Sequence, residues 1–171
     1  KDGTIKIIEF DFEAVGEQYI TSFVDLTEKK ATQKALLKEK EFSEYIINSM
    51  PGIFFLFILE NGFFLLKRWN KNYNALLGYQ ETDLKNSRVE DFFEKKNQEE
   101  IQAAMDELTK KGSVILETEV LKKDGAVIPF YIQAFRFKEG GKIYMMGTGV
   151  DIRERKIAEK ENQDLQIKLV Q

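Results

Sequence analysis

Cysteine and histidine are both missing from this chain of 171 residues. Without a thiol there are no disulfides, no thiolate nucleophile and no thiolate metal site. Without an imidazole there is no histidine base, no usual haem ligand and no phospho-accepting histidine. Long apolar runs are missing too. The longest, Ile53 to Leu59, is far short of the ~20 residues a membrane helix needs, and no signal-peptide pattern opens the chain. Neither sign of charge is in large excess: the net charge is −3, and no basic stripe interleaved with aromatics marks a nucleic-acid surface. Carboxylates are plentiful but scattered among lysines, the pattern of a solvated surface. With no Gly-rich phosphate loop and no nucleophile, the expectation is a cytoplasmic protein that is not an enzyme and contacts neither nucleic acid nor membrane directly.

What is present is a joint that occurs twice. The β-prone run Ile143 to Val150 ends at Asp151, and a charged helical pattern follows with no loop. A short acceptor side chain suits the free N–H groups of a first helical turn, and Glu154, three residues on, is placed to bond back to the Asp151 amide as in a capping box. Phe23-Val24-Asp25-Leu26-Thr27-Glu28 repeats the joint.

Taken in order, residues 1–25 read as a turn at Lys1-Asp2-Gly3-Thr4 and a hairpin. Ile8, Phe10 and Phe12 alternate with Glu9, Asp11 and Glu13, the period of a half-buried strand. Such a hairpin is marginal alone, which points to a sheet edge or a dimer mate as its partner. Residues 26–50 read as one flanking helix with Ala31, Ala35, Phe42, Tyr45 and Ile46 near one stripe, ended by Pro51-Gly52. Asn61-Gly62 between two β-prone runs predicts a tight hairpin. Asn70 is placed to cap a short helix that Gly78 closes, and Thr82 and Ser87 are placed to begin further single turns. Asn97 to Glu100 has the form of a capping box opening an amphipathic helix with Ile101, Met105 and Leu108 on one face. Three strands follow, Val114–Leu121, Val127–Phe137 and Ile143–Val150, with Pro129 expected at an unpaired edge or a bulge. Residues 152–171 form a last helix, in which Ala158, Asn162, Leu165 and Leu169 fit a two-helix seam. Runs of strands without βαβ alternation indicate an α+β fold with an antiparallel sheet.

Lys1-Asp2-Gly3 to Asp25 parallels Lys123-Asp124-Gly125 to Asp151, with a difference of four residues that fits a longer inter-strand turn in the second copy. Trp69-Asn70, Leu76-Leu77-Gly78-Tyr79 with Glu81, Lys123-Asp124-Gly125 and the exit Asp151 to Lys156 together resemble the PAS (sensory box) family over about residues 41–153. The resemblance implies a five-stranded antiparallel sheet of order 2-1-5-4-3, short helices on one face and a flanking helix at each end. It divides the chain into 1–25, the C-terminal β-hairpin of a preceding domain of the same family; 26–50, a linking helix; 51–151, the complete domain; and 152–171, a signalling helix.

Such a domain is expected to be a sensory or relay module of a histidine kinase, diguanylate cyclase or chemoreceptor, covalently linked to an output domain and acting as a homodimer. The alternative is a ligand-free dimerisation or spacer module. A family ligand lies between helices and sheet, where Phe55, Phe57, Trp69, Phe92, Ile101, Met105, Tyr131 and Met145 are the matching candidates; the same residues also serve as plain core. The family's flavin-adduct type needs a cysteine and its usual haem type a histidine, so both are excluded, while a non-covalent flavin, a small organic ligand or an acyl chain stays open. Trp69 is a candidate for stacking on a flavin. Asp25, Asp151, Ile152 and Arg153 are the candidate relay, and Ala35, Phe42, Ala158, Leu165 and Leu169 the candidate dimer seam.

Overall fold

Alternating apolar residues become strands, and the Asn, Asp and Gly punctuation becomes their turns. The structure, a computed structural model, describes residues 5–170 and their side chains apart from those of Val15, Leu169 and Val170. The expected turn at residues 1–4 and the seam position Leu169 therefore lie outside what is described. The chain divides into two units, residues 1–46 and 47–171.

In the first unit, β1 (Ile8–Val15) and β2 (Gln18–Asp25) form a two-stranded antiparallel sheet. Asp25 leads through Leu26 into α1 (Thr27–Ser49), whose last turn belongs to the second unit. Of the α1 stripe expected to pack, Phe42 and Tyr45 are exposed, and the buried residue is Ile47, one position beyond Ile46.

The second unit contains β3 (Ile53–Glu60), β4 (Phe63–Trp69), β5 (Ser113–Leu121), β6 (Val127–Glu139) and β7 (Lys142–Asp151). They form one antiparallel sheet of order β4-β3-β7-β6-β5. Counted from β3 this is 2-1-5-4-3, with the helices the family implies. Between β4 and β5 run α2 (Lys71–Leu77), α3 (Glu81–Leu84), two 3-10 turns at Val89–Phe92 and Lys95–Asn97, and α4 (Gln98–Lys111); α5 (Arg153–Val170) leaves after β7. The β3–β4 hairpin closes through Asn61 and Gly62, both at positive φ (51° and 83°), as a two-residue turn of matching twist requires.

Between β4 and β5, local caps differ from expectation in three places. Asn97 ends a 3-10 turn with φ −95° and ψ −1°, and its side chain makes no cap bond; Glu100 instead accepts from the Thr118 hydroxyl at 3.2 Å. Thr82 lies inside α3, which opens at Gln80, whose N–H donates to Asp83 Oδ2 at 3.0 Å. The turn near Ser87 starts at Arg88, whose N–H donates to Asp91 Oδ2 at 2.8 Å. In each of the last two the acceptor is an Asp at the third helical position. Pro129 pairs with Glu119 on one side, while on the other the β6–β7 ladder begins only at Phe130, so its missing N–H costs no ladder bond.

The difference between the two repeats also has another origin than a longer turn. Both hairpins turn on two residues, Gly16-Glu17 and Gly140-Gly141. The second is longer because its ladder has two more pairs, running from Phe130↔Asp151 to Glu139↔Lys142 against Ile8↔Asp25 to Val15↔Gln18.

The core lies on the sheet face that carries Phe55, Phe57, Leu66, Val120, Phe130, Ile132 and Met145, closed by Leu77, Leu84, Phe92 and Leu108 from the helical segment. Each such large side chain contributes roughly 1.5–3 kcal/mol by leaving water.

Candidate functional site

Strand alternation aims Ile53, Phe55 and Phe57 of β3 at the helices, and the antiparallel register brings Gly149, Gly147 and Met145 of β7 opposite them. Gly147 is what lets the Phe55 ring lie on the sheet: a Cβ there would sit 2.5 Å from its Cζ. Val114 and Ala134 continue the same row across β5 and β6. Ile101, Ala104 and Met105 of α4, spaced for one helical face, and Phe92 of the 3-10 turn form the roof. Phe92 is gripped edge-on by Phe57, Tyr73 and Tyr79, with centroid distances of 6.3, 5.4 and 5.5 Å.

Between roof and sheet lies a cavity of about 60 Å³. Six of the eight candidates line it: Phe55, Phe57, Phe92, Ile101, Met105 and Met145. The other two do not. Tyr131 occupies the opposite parity of β6 from buried Phe130 and Ile132, so it lies on the outer sheet face, where Gln133 Nε2 donates to its hydroxyl at 3.4 Å. Trp69 packs against the core edge rather than the cavity, with its indole N–H donating to Asn74 Oδ1 at 3.1 Å. It is not placed to stack on a cavity ligand.

Sequence reasoning passed over Ile53, Val114, Ile132 and Ala134, although strict period-2 counting from Phe55 and Phe130 marks Ile53, Ile132 and Ala134. It also missed Tyr73 on α2, the one lining residue with a hydroxyl. Burial pushes the Tyr73 phenol well above its ordinary value, so it stays protonated. Tyr79 is raised as well, by partial burial first and then by the carboxylates of Asp91, Asp83 and Asp124; its hydroxyl donates to Leu121 O at 3.0 Å.

The size of the cavity decides what fits. A dry apolar cavity of about 150 Å³ holds one benzene, and a water needs roughly 10–15 Å³. A tricyclic flavin does not fit this packing, whereas a molecule of a few heavy atoms does. Among the described residues no group of carboxylates is placed to hold a metal ion, and no helix is long and apolar enough to cross a membrane.

Below the cavity, Asn70 ties the module's entrance together. Its Oδ1 accepts from the N–H groups of Phe54 (3.0 Å) and Tyr73 (3.3 Å), and its Nδ2 donates to the carbonyls of Gly52 (3.0 Å) and Ile47 (3.3 Å). At the exit, β7 passes to α5 through Ile152 alone. The Ile152 N–H donates to Pro129 O at 3.0 Å while its side chain is buried. The Asp151 carboxylate accepts from the Arg153 backbone N–H at 3.0 Å and from its guanidinium at 2.6–3.1 Å. The Arg153 side chain holds Asp151 below the usual carboxylate range, against the opposing effect of burial. The expected Glu154 capping box does not form; Asp151 caps the first turn itself. Glu117 of β5 adds a second hold on α5, receiving Arg155 and, at 2.8 Å, Lys156.

The described seam candidates are on exposed positions: Ala35 and Phe42 on α1, Ala158 and Leu165 on α5. The outer sheet face is also apolar, with Ile115, Phe135, Met146 and Val150 exposed.

A family model described as PAS domain matches residues 52–154. Among solved structures, the PAS domain of an HTR-like protein from Haloarcula marismortui is similar at 20% identity and a TM-score of 0.58, covering 72% of this chain and 99% of that one. A PAS domain from a two-component sensor histidine kinase matches at 13% identity and 0.54, covering 66% and 96%. An RNA-binding Light-Oxygen-Voltage receptor matches at 14% and 0.61, covering 78% of this chain but only 37% of its own. None of the curated proteins is similar enough in sequence to match. At these identities the likeness is one of fold.

Proposed function

The chain belongs to the PAS domain family through residues 52–154, and from that premise we propose that it is the relay module of a multidomain signalling protein, dimeric and without catalytic activity of its own. The observation that carries the reading is the exit joint. Because Ile152 is bonded to β6 through Pro129 and buried beneath the sheet's end, a shift of β6 against β7 must move the first residue of α5. A ligand in the cavity biases that joint only by its difference in affinity for two arrangements. The fold's solved relatives include a domain from a sensor histidine kinase, which is the kind of output to which α5 would connect.

Asp151→Ala removes the capping acceptor and the Arg153 partner but no core atom. In the full-length protein the variant should lose no more than about 4 °C in melting temperature while output no longer follows the stimulus. Regulated output that survives the change refutes the relay.

The cavity size favours a second reading for ligand binding, namely a spacer whose core is simply packed. Mass spectrometry of denatured protein and a thermal-shift screen with small apolar molecules separate the two: a retained compound or a shift supports sensing, and neither supports the spacer. The exposed apolar outer face supports a second copy as partner. Sedimentation should find a dimer that Phe135→Glu weakens by more than tenfold, and a monomer for the parent chain would end that part of the proposal.

A further inference from the structure

Two hairpins of this chain enter their helices by the same bonds. In β6–β7, Phe130 faces Asp151, the Ile152 N–H donates to Pro129 O at 3.0 Å, and the Arg153 N–H donates to Asp151 Oδ1 at 3.0 Å. In β1–β2, Ile8 faces Asp25, the Leu26 N–H donates to Ile7 O at 2.8 Å, and the Thr27 N–H donates to Asp25 Oδ1 at 3.0 Å. The first helical turn closes alike in both, Lys156 to Ile152 and Lys30 to Leu26, each at 2.9 Å. This register decides which side chains share a face. Phe130, Ile132 and Ala134 of β6 face the core and are 0%, 7% and 3% exposed; at the same register positions of β1, Ile8, Phe10 and Phe12 are 40%, 58% and 70% exposed. One apolar face is covered and its counterpart is bare. The opposite face of β1 carries Glu9, Asp11 and Glu13, so this strand has one apolar side and one charged side.

We propose that β1 and β2 are the closing strands of a second module of the same fold, and that their bare face is covered by chain upstream of residue 1, a stretch equivalent to residues 53–122. The pairing follows from the second unit, where the outer edge of β7 takes β3 and that of β6 takes β5. The free edge of β2 therefore receives the upstream module's first strand and the free edge of β1 its third. Where β7 has Gly147 and Gly149, clearing room for Phe55 and Ile53, β2 has Thr21 and Phe23 at the same register. The upstream first strand accordingly carries smaller side chains than Phe and Ile at those two positions.

Hydrogen exchange read by mass spectrometry tests this on the natural full-length protein and on the 171-residue chain, each at two concentrations. The β2 amides should exchange about 100-fold more slowly in the full-length protein than in the shorter chain. Phe10→Asp in the full-length protein should remove that protection, whereas Glu9→Lys on the opposite face should leave it. Equal exchange in the two proteins overturns the proposal, as does a natural sequence without an upstream stretch of that length. Protection of the 171-residue chain to the same degree overturns it as well; if that protection rises with concentration, the covering surface is a second copy.

Discussion

At the scale of single residues, the module depends on a buried amide more than on any charge. Asn70 is 1% exposed, and both ends of its side chain are used, with two bonds accepted and two donated. Leaving a buried donor or acceptor without a partner costs roughly 1–3 kcal/mol. Asn70→Ala strands several at once and should lower stability by about 3 kcal/mol in a urea melt, and Asn70→Asp should do nearly as much harm because a carboxylate cannot donate to the Gly52 and Ile47 carbonyls. A loss below about 1 kcal/mol for both would mean that the amide is not organising the entrance. Asp25 shows the opposite kind of residue, exposed and titrating. The Thr27 hydroxyl and N–H, with Lys6 at 3.2 Å, bring its carboxyl from 3.8 down to about 2. A depressed value means that the joint is held fully above the ordinary carboxylate range and released as pH falls through 2. The Thr27 amide shift should therefore titrate near pH 2 in an NMR series, and a midpoint near 3.8 would show the Asx turn to be unformed.

At the scale of elements, the exit joint is held by a cap and by a strand. Glu117 of β5 receives both Arg155 and Lys156, and those two cations hold its carboxyl below its usual range. Exposed pairs of this kind are weak and are screened by salt. Glu117→Gln should speed amide exchange in the first turn of α5 by up to about fivefold at low salt, with the difference vanishing near 1 M salt; an unchanged rate at low salt would show the cap alone to be sufficient. Elements of this kind were legible where the signal was backbone chemistry. Asn61-Gly62, the Asn70 cap with Gly78, and the direct passage from β7 to α5 all follow from what Asn, Asp and Gly permit. They were illegible where several side chains compete for one backbone group. Asp83 and Asp91 cap the turns that the pattern assigned to Thr82 and Ser87, whereas Asp151 caps the first turn of α5 as expected but without the bond back from Glu154. The same limit explains the site: hydrophobicity marked Tyr131, but parity along β6, fixed by its neighbours' burial, puts it outside.

At the scale of the whole molecule, the two units differ in the one thing that makes a fold self-sufficient. Every buried apolar residue among the described ones comes from Ile47 onward. Residues 5–46 supply strands and a helix with no core of their own, and a two-stranded ribbon is marginal without one. The cooperative unit should therefore be residues 47–171 alone. At about 0.7 kcal/mol per residue near 60 °C, calorimetry should give an unfolding enthalpy of about 88 kcal/mol, against about 120 kcal/mol if all 171 residues melted together. Removing residues 1–25 should leave both the enthalpy and the midpoint where they are, because no buried side chain goes with them. A drop of 20 kcal/mol or more on that deletion would mean that the hairpin already has a partner within this chain.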